Sequence, residues 1–151
     1  MHDDLGADVP LSAPATRVVS LVPSLTEALA ATVPERLVGA TDWCTHPADL
    51  DVARVRGTKN PDLAAVRALR PDLVVANMEE NRELDVRRLR EAGVPVWVTR
   101  IETVEQALDS MGRLLAEALT FVNVVGNCVA TIVVAKWDNA LDGGKLKAAV
   151  G

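Results

Sequence analysis

The chain has 151 residues, 49% hydrophobic and 25% charged, which is one domain's worth of soluble globular composition and enough to close a single core. One Phe, three Trp and no Tyr leave that core to Val, Leu and Ala. A net charge of −5, with no run of Lys or Arg able to track a phosphate backbone, argues against nucleic acid as a partner.

Cys44 and Cys128 form no CxxC pair and read as two free thiols of a cytosolic chain in preference to the alternative, a disulfide between them. The opening Met-His-Asp-Asp-Leu-Gly-Ala-Asp lacks the basic start and apolar stretch of a secretory signal, so a cytoplasmic location is expected.

In chain order, residues 1–16 are polar and Pro-containing and predict a loose arm. Arg17-Val18-Val19-Ser20-Leu21-Val22 is a β-branched run ended by Pro23, the mark of a buried strand. Ser24 with Glu27 three residues on has capping-box spacing and predicts the start of a Leu-Ala-rich helix. Strands are predicted at 37–40 and, short, at 52–55, with a loop over 41–48 between them. Asn60-Pro61-Asp62 predicts another helix, with Asn60 as cap, Pro61 at the first position and Leu63, Val66 and Leu69 on one face.

Leu73-Val74-Val75-Ala76 is a buried strand, residues 81–92 a charged helix stopped by Gly93, and 94–99 a further strand. Over 103–118 the periodicity predicts a helix burying Val104, Ala107, Leu108, Met111 and Leu115. Strand and helix alternate, which predicts a parallel sheet covered on both faces. Ligands of such sheets meet the loops at the carboxyl ends of the strands.

The pattern changes after Glu117. Residues 118–135 carry no charge. They read either as a buried helix or strand pair closing the sheet, or as a membrane span at the lower limit of length.

The loops after the strands hold Pro23 and Ser24; Asp42, Trp43 and Cys44; Lys59 and Asn60; Glu79 and Glu80; and Arg100. Trp43 offers stacking and the others hydrogen bonds, so Pro23, Ser24, Trp43, Lys59, Asn60, Glu79, Glu80 and Arg100 are expected to form a recognition rim for a polar, partly flat ligand. The alternative for each is an ordinary solvated loop residue. Cys44 and His46 lack the further ligands that a transition metal requires, since His2 is the only other histidine. Glu79 and Glu80 are adjacent rather than facing across a cleft, which suits a helix start better than a catalytic pair. The first strand is followed by neither a glycine-rich phosphate loop nor a nucleophile elbow around Ser24. No catalytic residue, metal ion or resident cofactor is expected.

The segments RVVSLVPSLTEALAATVPERLVGATDWCTHP and GTKNPDLAAVRALRPDLVVANMEENRELDVRRLREAGVPVWV resemble the helical-backbone, periplasmic-binding-protein-like receptors of ABC importers for cobalamin, haem and ferric siderophores. The resemblance covers about residues 16–118. It implies a three-layer α/β lobe with about four to five parallel strands and helices on both faces, one of the two lobes such receptors carry. It also implies a corrinoid, haem or ferric siderophore as ligand and an ABC permease as partner. The glutamate with which family members dock on the permease falls on Ala64, with Asp62 nearby, a departure from the family pattern.

The tail TFVNVVGNCVATIVVAKWDNALDGGKL resembles the last transmembrane helix of the dicarboxylate/glutamate:cation symporters. The substrate-binding arginine of that family falls on Leu119 and an acidic residue on Ala116, whereas Asn123 and Asn127 match positions lining the ion path. Without that arginine and the other helices, symport is excluded. A lobe at 17–118 and an apolar helix within 119–151 are therefore expected, and the alternatives to a chelate-binding lobe are a membrane-anchored fragment of a symporter fusion and an inactive fused or frameshifted reading frame. The tail offers membrane association through 118–135, and its β-prone run at 128–135 offers homodimerisation.

Overall fold

A computed structural model of the protein describes residues 1–119. The helix expected in the tail, its symporter-like Asn123 and Asn127, Cys128, the greater part of the 118–135 span and the run at 128–135 expected to support homodimerisation lie outside the described residues.

Among the described residues, five parallel strands form a sheet in the order β3-β2-β1-β6-β7. These are β1 (Val18–Ser20), β2 (Leu37–Ala40), β3 (Ala53–Arg54), β6 (Leu73–Asn77) and β7 (Val96–Thr99). A short antiparallel hairpin, β4 (Arg56–Gly57) with β5 (Asn60–Pro61), follows β3.

Side chains alternate across a strand, which divides each apolar run between two cores. Val18, Leu73, Val75 and Trp97 pack on one face with Leu25 and Leu29 of α1 (Pro23–Thr32) and with Leu114, Ala118 and Leu119. Val19, Val74, Ala76, Val96 and Val98 pack on the other with Val66 of α2 (Leu63–Ala68) and with Val86 and Leu89 of α3 (Glu83–Glu91). Because both faces are covered, the central strands read as continuous apolar runs.

Asp72 ties the entrances of the two central strands together. Its carboxylate accepts from the Thr16 and Arg17 backbone N–H groups, at 3.0 and 2.8 Å, and from the Thr16 hydroxyl at 2.9 Å. A shallow depression of about 410 Å³ lies at this end of the sheet, lined by Pro10, Leu11, Pro14, Thr16, Asp72 and Pro95 among others. Its one carboxylate is thus already engaged by the fold.

Four expectations are corrected. Residues 1–16 are not a loose arm: Val9 and Ala15 are buried, and the Asp3 side chain is fully enclosed in an ion pair with Arg90 at 2.6 Å. The Asp4 N–H donates to Val98 O at 3.2 Å and the Val98 N–H to Asp3 Oδ2 at 3.3 Å, so the segment covers the outer edge of β7. An edge strand exposes unpaired N–H and C=O groups, and the N-terminus supplies their partners.

The first helix is not opened by a Ser24–Glu27 capping box. Its N-cap is Val22, without a side-chain hydrogen bond, and Pro23 takes the first turn. The reciprocal box forms instead at α4 (Val104–Arg113), between Thr103 and Gln106. The first-turn acid there, Glu105, has its carboxyl held below its ordinary pKa by a backbone hydrogen bond and then by the Thr103 hydroxyl.

Asn60 and Pro61 are paired in the hairpin, and Asp62 caps α2 by accepting the Ala65 N–H at 2.9 Å. On α4 the predicted apolar face is only partly buried. Met111 and Leu115 pack on the core, but Val104 and Leu108 are each 72% exposed. The N-terminal Asp4 binds the Ser110 hydroxyl and Arg113 on this helix and so sets which side faces inward. Replacing Leu108 by glutamine should therefore change stability by no more than about 0.5 kcal/mol, measured by urea unfolding. A loss of ~2 kcal/mol would mean that this face is covered in solution.

Candidate ligand-recognition rim

The chain runs outward from β1 to β2 and β3, then returns to β6 on the other side of β1. In open parallel sheets ligands usually lie at such a reversal, which falls here between the carboxyl ends of β1 and β6. Asn81 bridges the loops at that point and is 6% exposed. Its amide nitrogen donates to Leu21 O beyond β1 at 3.2 Å and to Thr58 O of the hairpin at 2.9 Å. Its amide oxygen accepts the Asn77 N–H at the end of β6 at 2.9 Å. Three loops are fixed by this one side chain.

Asn77 in turn shapes the acidic loop. Its side-chain oxygen accepts the Glu79 N–H at 2.9 Å and the Glu80 N–H at 3.3 Å, and its side-chain nitrogen donates to the Thr99 hydroxyl at 3.1 Å. The Lys59 ammonium donates to the Glu79 carbonyl, linking the hairpin tip to the same loop.

Trp43, after β2, is 68% exposed, although tryptophan is on average a highly buried residue. An ideal Cβ on Gly57 would lie 3.2 Å from its Nε1 and 2.5 Å from Asn60 Oδ1. The absence of a side chain there is what lets the Trp43 loop and Asn60 close on the hairpin. Behind Trp43, the buried Cys44 thiol lies 3.0 Å from the Thr26 hydroxyl and 3.1 Å from that of Thr41, with Ser20 accepting from Thr26 at 2.8 Å. This hydroxyl cluster roots the Trp43 loop on β1, β2 and α1.

Among the eight residues expected at the rim, Trp43 and Asn60 thus meet at Gly57, and Lys59 joins the Glu79-Glu80 loop. Pro23 is half-buried and Ser24 exposed in the first turn of α1, beyond β1. Arg100 stands apart. It follows β7, three strand spacings or about 14 Å from β2, pairs with Glu102 at 2.9 Å and gives its N–H to Asp4. Asn81, the side chain that joins these loops, carries no signal in the sequence, because its partners Leu21 and Thr58 are distant in residue order. No group of three or more His, Cys, Asp or Glu suited to a metal ion occurs among the described residues.

No protein-family model matches the chain. The vitamin B12-binding protein of Vibrio cholerae serotype O1 is 28% identical over 103 residues, 67% of this chain and 37% of that protein. The crystal structure of the periplasmic vitamin B12 binding protein of Vibrio cholerae matches with a TM-score of 0.69 at 25% identity, over 83% of this chain and 49% of that one. A periplasmic heme-binding protein in complex with two hemes matches with a TM-score of 0.67 at 26% identity, over 85% of this chain and 49% of that one. The C4-dicarboxylate transport protein of Laribacter hongkongensis is 61% identical over 36 residues, 24% of this chain and 8% of that protein. The chain thus spans well under two thirds of the length of the relatives it matches. Its described part has the α/β fold of a lobe of the B12- and heme-binding proteins.

Proposed function

We propose that the described lobe is a non-catalytic solute-recognition module for a metal chelate, whether corrinoid, haem or ferric siderophore. The ligand is received on the rim at the carboxyl ends of the strands. The observation that carries this reading is the exposed Trp43 indole, held beside polar loops that Asn81 fixes at the reversal of strand order. Support also comes from the fold shared with proteins that bind vitamin B12 and heme. A planar chelate would stack on Trp43, while Ser24, Asn60 and the Glu79-Glu80 loop offer hydrogen bonds to its periphery.

Docking on an ABC permease belongs to the same proposal and would need other contacts than the glutamate of the family. Ala64 occupies that position, and the Asp62 carboxylate is spent on capping α2.

The test is thermal unfolding of the full chain with cyanocobalamin, hemin and a ferric hydroxamate in turn. At least one should raise Tm. Trp43→Ala should remove that shift while changing the ligand-free stability by no more than about 0.5 kcal/mol, because the ring is largely in solvent. A chain indifferent to all three chelates is not such a module.

The C4-dicarboxylate transporter match favours a second reading for the tail, as a membrane-inserting symporter fragment fused to the lobe. Membrane fractionation decides it, since a protein found wholly in the soluble fraction excludes insertion.

A further inference from the structure

We propose that Arg56 is the anchor for an oxyanion substituent of the ligand, an inference that rests on the chelate-receptor reading above. Arg56 has φ +67°, the left-handed region in which an L residue is strained and glycine is not. Arg70, which also has a positive φ of 48°, ends α2, where a left-handed residue is an ordinary helix stop. Arg56 ends no helix. It opens the rim hairpin, paired with Pro61, and the surrounding backbone holds it in place. Asp42 donates its N–H to Arg56 O at 2.8 Å, Val55 donates to Ala40 O at 3.0 Å, and Asp62 donates to Val55 O at 2.9 Å.

Strain kept at a binding edge and over-determined by its neighbours points to a role for the residue placed there. Glycine would satisfy the backbone without strain, so it is the side chain that needs explaining. The Arg56 side chain is exposed and makes no hydrogen bond or ion pair among the described residues. The next residue, Gly57, is the one against which the Trp43 indole closes.

The other cation of the hairpin, Lys59, is already engaged by the Glu79 carbonyl. The hairpin therefore carries an exposed arginine without a partner among the described residues, next in sequence to the glycine on which Trp43 closes, and the β6 loop carries two exposed carboxylates, Glu79 and Glu80. This polarity places a ligand's carboxylate or phosphate at the hairpin, where the planar fork of arginine can take both oxygens. The two carboxylates disfavour an oxyanion at the β6 loop itself.

The test titrates full-length wild type, Arg56→Gln and Arg56→Gly with each bound chelate and with an analogue lacking its oxyanion. Hemin is compared with its dimethyl ester, and cyanocobalamin with dicyanocobinamide. Arg56→Gln should weaken the oxyanion-bearing chelate about tenfold and leave the analogue within about twofold. Arg56→Gly should lose the same affinity while its ligand-free Tm equals or exceeds that of wild type, because the backbone strain is relieved. Equal effects on both members of a pair, no effect on either, or binding confined to a neutral ferric hydroxamate would overturn the anchor and leave the receptor reading intact. A wild-type chain that binds no chelate overturns both.

Discussion

Replacing Asp3 by alanine should lower the stability of the lobe by about 3 kcal/mol and its Tm by roughly 10 °C. The Asp3 carboxylate is wholly enclosed and accepts from Arg90, from the Val98 N–H and from the Leu5 and Ala7 N–H groups at 3.0 and 2.8 Å. Removing it strands a guanidinium whose Nε is already buried without a partner. It also releases the segment that covers the edge of β7. The low end of the range for a broken buried pair applies because Arg90 keeps 32% of its side chain exposed. Asp8→Ala is the control: Asp8 pairs with the N-terminal amine at 3.6 Å and is 68% exposed, so its loss should cost no more than about 0.5 kcal/mol. Calorimetry and urea unfolding of the two variants check this. Equal stability of the two would show that the N-terminal segment does not pack as described. With the edge uncovered, Asp3→Ala should also associate with rising concentration, which light scattering would reveal.

Asn81→Ala should cost about 2–4 kcal/mol and most of the affinity for any rim ligand. It removes both donors and the acceptor that join Leu21, Thr58 and Asn77, and each buried group left without a partner costs about 1–3 kcal/mol. Asn81→Asp is the sharper variant. It keeps an acceptor for the Asn77 N–H but sets a carboxylate against the Leu21 and Thr58 carbonyls, so it should be no more stable than the alanine variant. Because the ligand would meet loops that Asn81 arranges rather than Asn81 itself, the loss of affinity should exceed that of exposed-residue variants such as Ser24→Ala. Urea unfolding and chelate titration on the same samples separate the two effects. Full stability with Asn81 removed would mean that its amide does not hold the three loops together.

Much of the fold is legible in residue order because it rests on short-range periodicity. Val18-Val19, the Leu73 run and Val96-Trp97-Val98 alternate between two cores, and a strand buried on both faces must read as a continuous apolar run. Which loops share an edge follows from the same fact. If the strands are parallel, every loop after a strand lies at one end of the sheet, which groups the loops of Trp43, Asn60 and Glu79 without any knowledge of their contacts. Helix starts were less legible. Ser24 and Asn60 both had capping signatures, yet the backbone chose Val22 and Asp62, since Pro23 suits a first helical turn and Asn60 is held by the hairpin.

What only the tertiary structure decided involves partners distant in sequence. Asp3 meets Arg90, Asp4 meets Ser110 and Arg113, and Asn81 meets Leu21. Those pairings turned an apparent arm into the cover of an edge strand and left Val104 and Leu108 of an amphipathic helix in solvent. They also made one amide the pin of the rim. Residue order determines which side chains share a strand face or a loop edge, because 2.0 and 3.6 are local periods. It does not determine which buried charge finds which counter-charge, because that match is made only after the chain has closed on itself.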